Sequence, residues 1–102
     1  MTFDEYAEYT RRFDRSGAEM WYYALGLVGE AGEVAEKVKK VYRDKIRIDN
    51  VAIAREIGDV LWYAARLAET LGMSLDEVAR LNIEKLIDRE MRGVLKGSGD
   101  DR

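Results

Sequence analysis

Three times in this chain a serine or threonine is followed, three residues later, by glutamate: Thr2 with Glu5, Ser16 with Glu19 and Ser74 with Glu77. In that spacing the hydroxyl can accept from the third helical N–H while the carboxylate reaches back to the cap's own N–H, so each pair predicts a helix start. The first helix is expected to run to about Arg15, the second from Ser16 to about Arg43, and the fourth from Ser74 to about Arg92, where Gly93 supplies a stop. A third should start after Asp49-Asn50 and end at Gly72. There is no proline, and no segment sustains strand-type alternation. The expectation is an all-α chain, a four-helix bundle completed by oligomerisation. Residues 1–96 should form one domain, and the Gly/Ser-rich stretch 97–102 a flexible tail without a Walker pattern.

Composition narrows the chemistry. The chain has no cysteine and no histidine. That removes thiolate and imidazole metal sites and every histidine-based nucleophilic triad. Catalysis would have to run on carboxylates, lysine, arginine, tyrosine and hydroxyls. A net charge of −3 argues against a nucleic-acid polymer or an anionic membrane as partner. No apolar run approaches the 18 or so residues of a membrane span, and the acidic opening MTFDEYAEY is unlike a signal peptide. The expected setting is the cytoplasm.

At about 100° per residue, Met20, Ala24, Leu27, Ala31, Val34, Val38 and Val41 share one face of the second helix. Ile53, Ile57, Val60, Ala64, Leu67 and Leu71 share one face of the third. Glu30 and Glu33 border the first stripe; Glu56, Asp59 and Tyr63 border the second. Asn82, Lys85 and Arg89 lie along an edge of the fourth helix, beside Ala79, Ile83 and Leu86. Trp62 points away from its own stripe, which predicts a covering partner and favours oligomerisation. Gly26, Gly29, Gly32 and Gly58 interrupt helices at roughly 1 kcal/mol each. They lie off the apolar stripes, leaving room beside the acids for a bulky ligand or a close helix.

Acids at i and i+3 project to one side of a helix, their Cβ atoms about 5–6 Å apart. If the second and third helices form a hairpin, Glu30, Glu33, Glu56 and Asp59 converge with no basic residue between them. Like charges about 5 Å apart cost about 3 kcal/mol per pair at an effective dielectric of 20. Bound cations or protonation would relieve that cost, and an all-oxygen donor set selects Mg²⁺, Mn²⁺ or Ca²⁺. Acid pairs at this spacing are also common on solvated helix faces, and both readings stand at this point.

The phrases Glu30-x-x-Glu33 and Glu56-x-x-Asp59 are separated by 22 residues and embedded in ALGLVGEAGEVAEKVKK and EIGDVLWYAARLAETLGMSLDEVARLNIEKLIDR. Across residues 20–92 the chain resembles the MazG-like all-α nucleoside triphosphate pyrophosphohydrolases, with their ExxE…ExxD signature. The resemblance implies hydrolysis of a (deoxy)nucleoside triphosphate to the monophosphate and pyrophosphate, serving nucleotide-pool house-cleaning or shaping. It implies that Glu30, Glu33, Glu56 and Asp59 hold Mg²⁺, with Mn²⁺ a substitute, and that one of the glutamates helps generate the attacking water. Tyr63, Asn82 and Lys85 match positions that contact sugar and phosphates, and Arg89 would neutralise charge on the leaving pyrophosphate. Trp21, with Phe13, Tyr22 and Tyr23, could supply a stacking wall for the base. The family implies a homo-oligomer, a tetramer favoured over a dimer. Gly29 stands where many relatives carry a further acid. The rival expectations are a phosphoribosyl-ATP pyrophosphohydrolase and a non-catalytic helical interaction module.

Overall fold

The computed structural model describes residues 1–93 together with Gly97 and Gly99, so residues 94–96 and most of the expected tail lie outside the described residues. Four helices follow one another: α1 (Phe3–Phe13), α2 (Met20–Arg43), α3 (Asn50–Thr70) and α4 (Leu75–Met91). Among the described residues there is no strand and no helix long and apolar enough to cross a membrane.

Two of the three capping boxes act as caps. Thr2 Oγ1 accepts from Glu5 N at 3.1 Å and Glu5 Oε1 accepts from Thr2 N at 3.3 Å. Ser74 Oγ accepts from Glu77 N at 3.1 Å. Asp49 does the same for α3, accepting from Ala52 N at 3.0 Å. The Ser16 box does not form. Ser16 donates both its N–H and its hydroxyl to Asp14 Oδ1, at 3.0 and 2.6 Å, and its oxygen accepts from Ala18 N. Asp14, the residue that caps the C-terminus of α1, thus captures Ser16 for a turn, and Gly17 follows at φ +55°. Helix α2 consequently starts at Met20 without a side-chain cap, and α1 ends two residues before Arg15. At the far end of α3, Met73 N donates to Ala68 O and Gly72 N to Glu69 O, with Gly72 at φ +71°. This double bond pattern satisfies the last carbonyls and needs the glycine's left-handed backbone.

Helices α2 and α3 form the antiparallel hairpin that the pattern predicts, and it carries most of the packing. As α2 advances from Gly26 to Lys37, its neighbour on α3 retreats from Tyr63 to Glu56. Helix α1 packs on α3 and α4, and α4 packs on α1 and α3; the described residues show no approach of α4 to α2. Coverage of α3 from two sides corrects its expected core. The buried positions are Ala65 and Ala68, small residues that permit close crossing, whereas Ile57 and Leu71 of the expected stripe are more than half exposed. On α2, Tyr23 is buried while Met20, Ala31 and Val38 are exposed. Trp62 is also corrected: it is half-buried and borders a cavity with Tyr6, Tyr9 and Phe13, so α1 of the same chain flanks it. It therefore does not require a second subunit.

Helix α1 is fastened by an ionic knot. Arg66 Nε donates to Asp14 Oδ2 at 2.9 Å, Tyr23 donates its hydroxyl to the same oxygen, and Arg66 also pairs with Glu69. Glu69 in turn accepts from Arg11 Nε at 2.8 Å. The guanidinium of Arg66 lies 5.7 Å from the Tyr23 ring centroid. Burial by itself would raise the pKa of Asp14, but hydrogen bonds from Ser16, Tyr23 and Arg66 outweigh it and hold the carboxyl far below the ordinary range. The knot ties together α1, the 14–19 turn, α2 and α3.

Much apolar surface stays outside. Leu25 and Val28 on α2 are 66% and 70% exposed, and Ile83, Ile87 and Met91 on α4 are also open. The radius of gyration is 16.2 Å, against about 13 Å for a compact chain of this length.

Asp14→Asn or Arg66→Met should therefore lower unfolding stability by about 3 kcal/mol in urea titrations at pH 7, since the first removes the charge that Arg66 and Tyr23 share and the second strips the buried Asp14 carboxylate of its counter-ion. Because the folded carboxyl titrates below its unfolded value of 3.8, its contribution is complete above about pH 4 and fades as acid is added below that point. The stability difference between wild type and Asp14→Asn should shrink accordingly in acid. A methyl on Gly26 would come within 2.2 Å of Tyr63 Cε1, whereas one on Gly29 would meet nothing within 4 Å. Gly26→Ala should cost about 1–3 kcal/mol and Gly29→Ala should gain about 0.5–1 kcal/mol by the same measurement.

Candidate functional site

The hairpin register decides which acids meet. Glu30, from the middle of α2, faces Glu56 and Asp59, which stand one turn apart on α3. One carboxylate oxygen from each of the three lies within 4.8 Å of the others. That is the reach of a shared hard cation whose oxygen ligands sit about 2.0–2.6 Å away. The cost of the convergence appears at Glu30, whose pKa is raised by burial and by the charges of Asp59, Glu56 and Glu33.

Glu33 stands apart from this trio. It is exposed, one turn along α2, and acts on Glu30 through its charge. The expectation that no basic residue enters the cluster is corrected: Lys37 Nζ lies 3.8 Å from Glu56 Oε1. Lys37 is four residues beyond Glu33, so the helical spacing could have revealed it; attention to the acids alone passed over it. Glu36 turns away to pair with Lys39 and Lys40.

Tyrosines border the acids on both sides. The Tyr63 ring rests on Gly26, with its centroid 6.3 Å from that of Tyr22. Its pKa is raised by burial, by a hydrogen bond with Tyr22 and by the charges of Tyr22, Glu30 and Asp59. From the other side comes Tyr6 of α1, whose hydroxyl faces the Gly58 carbonyl at 3.5 Å. Burial and the charge of Asp59 raise its pKa. Tyr6 escaped the sequence reading because α1 is far away in sequence, and only the knot at its other end brings it to the site.

The remaining expected site residues are scattered. Trp21 is 62% exposed on the first turn of α2, its indole N–H donating to Glu19 at 3.2 Å. The expected aromatic wall divides, since Tyr23 is buried in the ionic knot and Phe13 faces the α1 cavity. Asn82 is exposed and Lys85 half-buried on α4. Arg89, expected on an edge, is 4% exposed and donates to the Gly99 carbonyl at 3.2 Å. Since α4 does not approach α2 among the described residues, this chain alone does not carry that row onto α2 beside Glu30.

The arrangement is an acidic cluster able to hold a hard divalent cation by oxygen, flanked by phenols and one ammonium group. Its donor set fits Mg²⁺ or Mn²⁺ and offers nothing to softer metals.

Comparison with known proteins agrees. The MazG nucleotide pyrophosphohydrolase domain matches residues 21–93, which includes α2, α3 and α4 and leaves α1 outside. The chain is 48% identical over 85 residues to the Gene 37 protein of Mycobacterium phage L5, covering 79% of this chain and 75% of that protein. No solved structure matches. With the family domain spanning most of its length and the acid trio assembled on the matched helices, this chain belongs to the MazG nucleotide pyrophosphohydrolase family.

Proposed function

We propose that the protein hydrolyses a (deoxy)nucleoside triphosphate to the monophosphate and pyrophosphate with Mg²⁺. The observation that supports this most directly is the convergence of Glu30, Glu56 and Asp59 within 4.8 Å on the two helices of the family domain. Three close carboxylates suit a hard cation, and such a cation neutralises phosphate charge and polarises phosphoryl oxygens when bound.

In this reading Glu30, Glu56 and Asp59 hold Mg²⁺, and Glu33, exposed one turn away, accepts the proton of the attacking water. The water oxygen bonds to the α-phosphorus. The bond from that phosphorus to the oxygen bridging to the β-phosphorus breaks, and pyrophosphate leaves with the electron pair. Lys37 offsets part of the negative charge at Glu56 and offers an ammonium to phosphate oxygens. Tyr63 contacts the sugar side. The open space over Gly29 admits the triphosphate. Asn82, Lys85 and Arg89 act from α4, in a homo-oligomer whose tetrameric form would cover the apolar surface left on α2 and α4.

A panel of nucleoside triphosphates, assayed with and without Mg²⁺ for pyrophosphate and for phosphate, tests the reading. Pyrophosphate should appear only with the metal, and Asp59→Ala or Glu56→Gln should reduce kcat by at least about 100-fold. Release of single phosphates, or activity indifferent to these changes, would overturn it. Mg²⁺ should raise the melting temperature of the wild type and not that of Glu30→Gln/Glu56→Gln. Gly29→Ala should slow turnover even though it strengthens α2; unchanged activity would refute the role given to that open space.

A further inference from the structure

Between α1 and α3 lies a cavity of about 420 Å³ lined by Met1, Tyr6, Tyr9, Thr10, Phe13 and Trp62. Tyr6, Tyr9 and Phe13 follow one another at i, i+3 and i+7 and therefore share one face of α1. Trp62 meets them from α3, its ring held edge-on against Tyr63 at 5.0 Å between centroids. Four aromatic rings thus border one open space, and Phe13 and Tyr9 remain 58% and 51% exposed.

We propose that this groove seats the nucleobase of the substrate, an inference that rests on the triphosphate hydrolysis proposed above. Continuity with the carboxylates favours a base over any other occupant. Tyr6 belongs to both places, lining the groove while its hydroxyl faces the carbonyl of Gly58, the residue before Asp59. Trp62 follows Asp59 by three residues, one turn of α3, a rise of about 5 Å. A ribose spans a comparable distance, so phosphates at Asp59 and a base at Trp62 belong to one nucleotide. Flat rings offer faces for a planar heterocycle, and stacking of this kind accepts every base.

The groove reads a base by its faces more than its edges. Two of its three hydroxyls are engaged, that of Thr10 donating to the Ala7 carbonyl at 2.7 Å and that of Tyr6 directed at Gly58, which leaves the Tyr9 hydroxyl to meet a base edge. Preference among bases should therefore be modest, within about tenfold in kcat/KM. Because α1 lies outside the residues matched by the family domain, this segment would give the chain a base platform of its own.

Photolabelling of the full chain with 8-azido-dATP and 5-azido-dUTP, mapped by peptide mass spectrometry, tests the placement. Label on the 6–13 segment or at Trp62 is the expected result. Label on Trp21 or Tyr22 instead, or no label from a nucleotide that the protein hydrolyses, overturns it. Tyr9→Ala and Phe13→Ala should raise KM at least about fivefold while kcat stays within about twofold. Unchanged KM, with the same variants dissociating an oligomer in sedimentation velocity, would show that a second copy covers the groove, and the proposal would fall. Pyrophosphate release by the wild type, measured in parallel, separates the two readings: its absence refutes the hydrolysis, whereas the labelled position judges the groove.

Discussion

The contact on which the site depends is the Tyr63 ring lying on bare backbone at Gly26, where a methyl group would be 2.2 Å from a ring carbon. A tight steric fit of this kind admits one register of the two long helices. One turn further along α2, the same register presents Glu30 to Asp59 and Glu56. Carboxylates would not choose this arrangement, because burial and one another's charges oppose it, the two causes that raise the pKa of Glu30. Apolar and aromatic packing along the hairpin therefore imposes a geometry that electrostatics resists. Such opposition is common where a protein must attract a cation.

Helix α1 depends on a different kind of force. It buries little apolar surface, and its hold comes from Asp14, Arg66, Tyr23, Glu69 and Arg11 acting as a group. Tyr6 and the aromatic face that follows it are brought to α3 by this knot at the other end of the helix. Tyr6, the tyrosine of the candidate site farthest in sequence from the acids, is thus positioned by charges outside the acid cluster.

Helix number, helix type and the approach of three of the four expected acids were legible in the sequence because they follow from local spacing, whereas Glu33 does not join the other three. Capping at Thr2 and Ser74, the 3.6-residue period and the i, i+3 acid pairs all involve neighbours within one turn or two. Most of what escaped detection is non-local, the exceptions being Lys37, one turn beyond Glu33, and the turn at Ser16. Ser16 carries a sound capping pattern, yet Asp14, only two residues away, outcompetes the helix for its donors. Trp62 looked partnerless because a helical wheel shows α3 alone, without α1 across it. Arg66 and Asp14 are 52 residues apart, and no periodicity announces their bond. Gly26 and Gly29 looked alike in sequence; only the position of Tyr63 makes one sterically necessary and leaves the other beside open space.

Lys37 gives the acidic cluster a resident counter-charge. Its ammonium beside Glu56 softens the repulsion among three acids before any ion arrives, so the hairpin can close with a tethered cation in place of a free one. Under the function proposed above, a divalent ion entering among these acids would have to displace a monovalent charge that the chain itself carries. Lys37, released from Glu56, would then stand within reach of the phosphate oxygens that the proposed reaction requires.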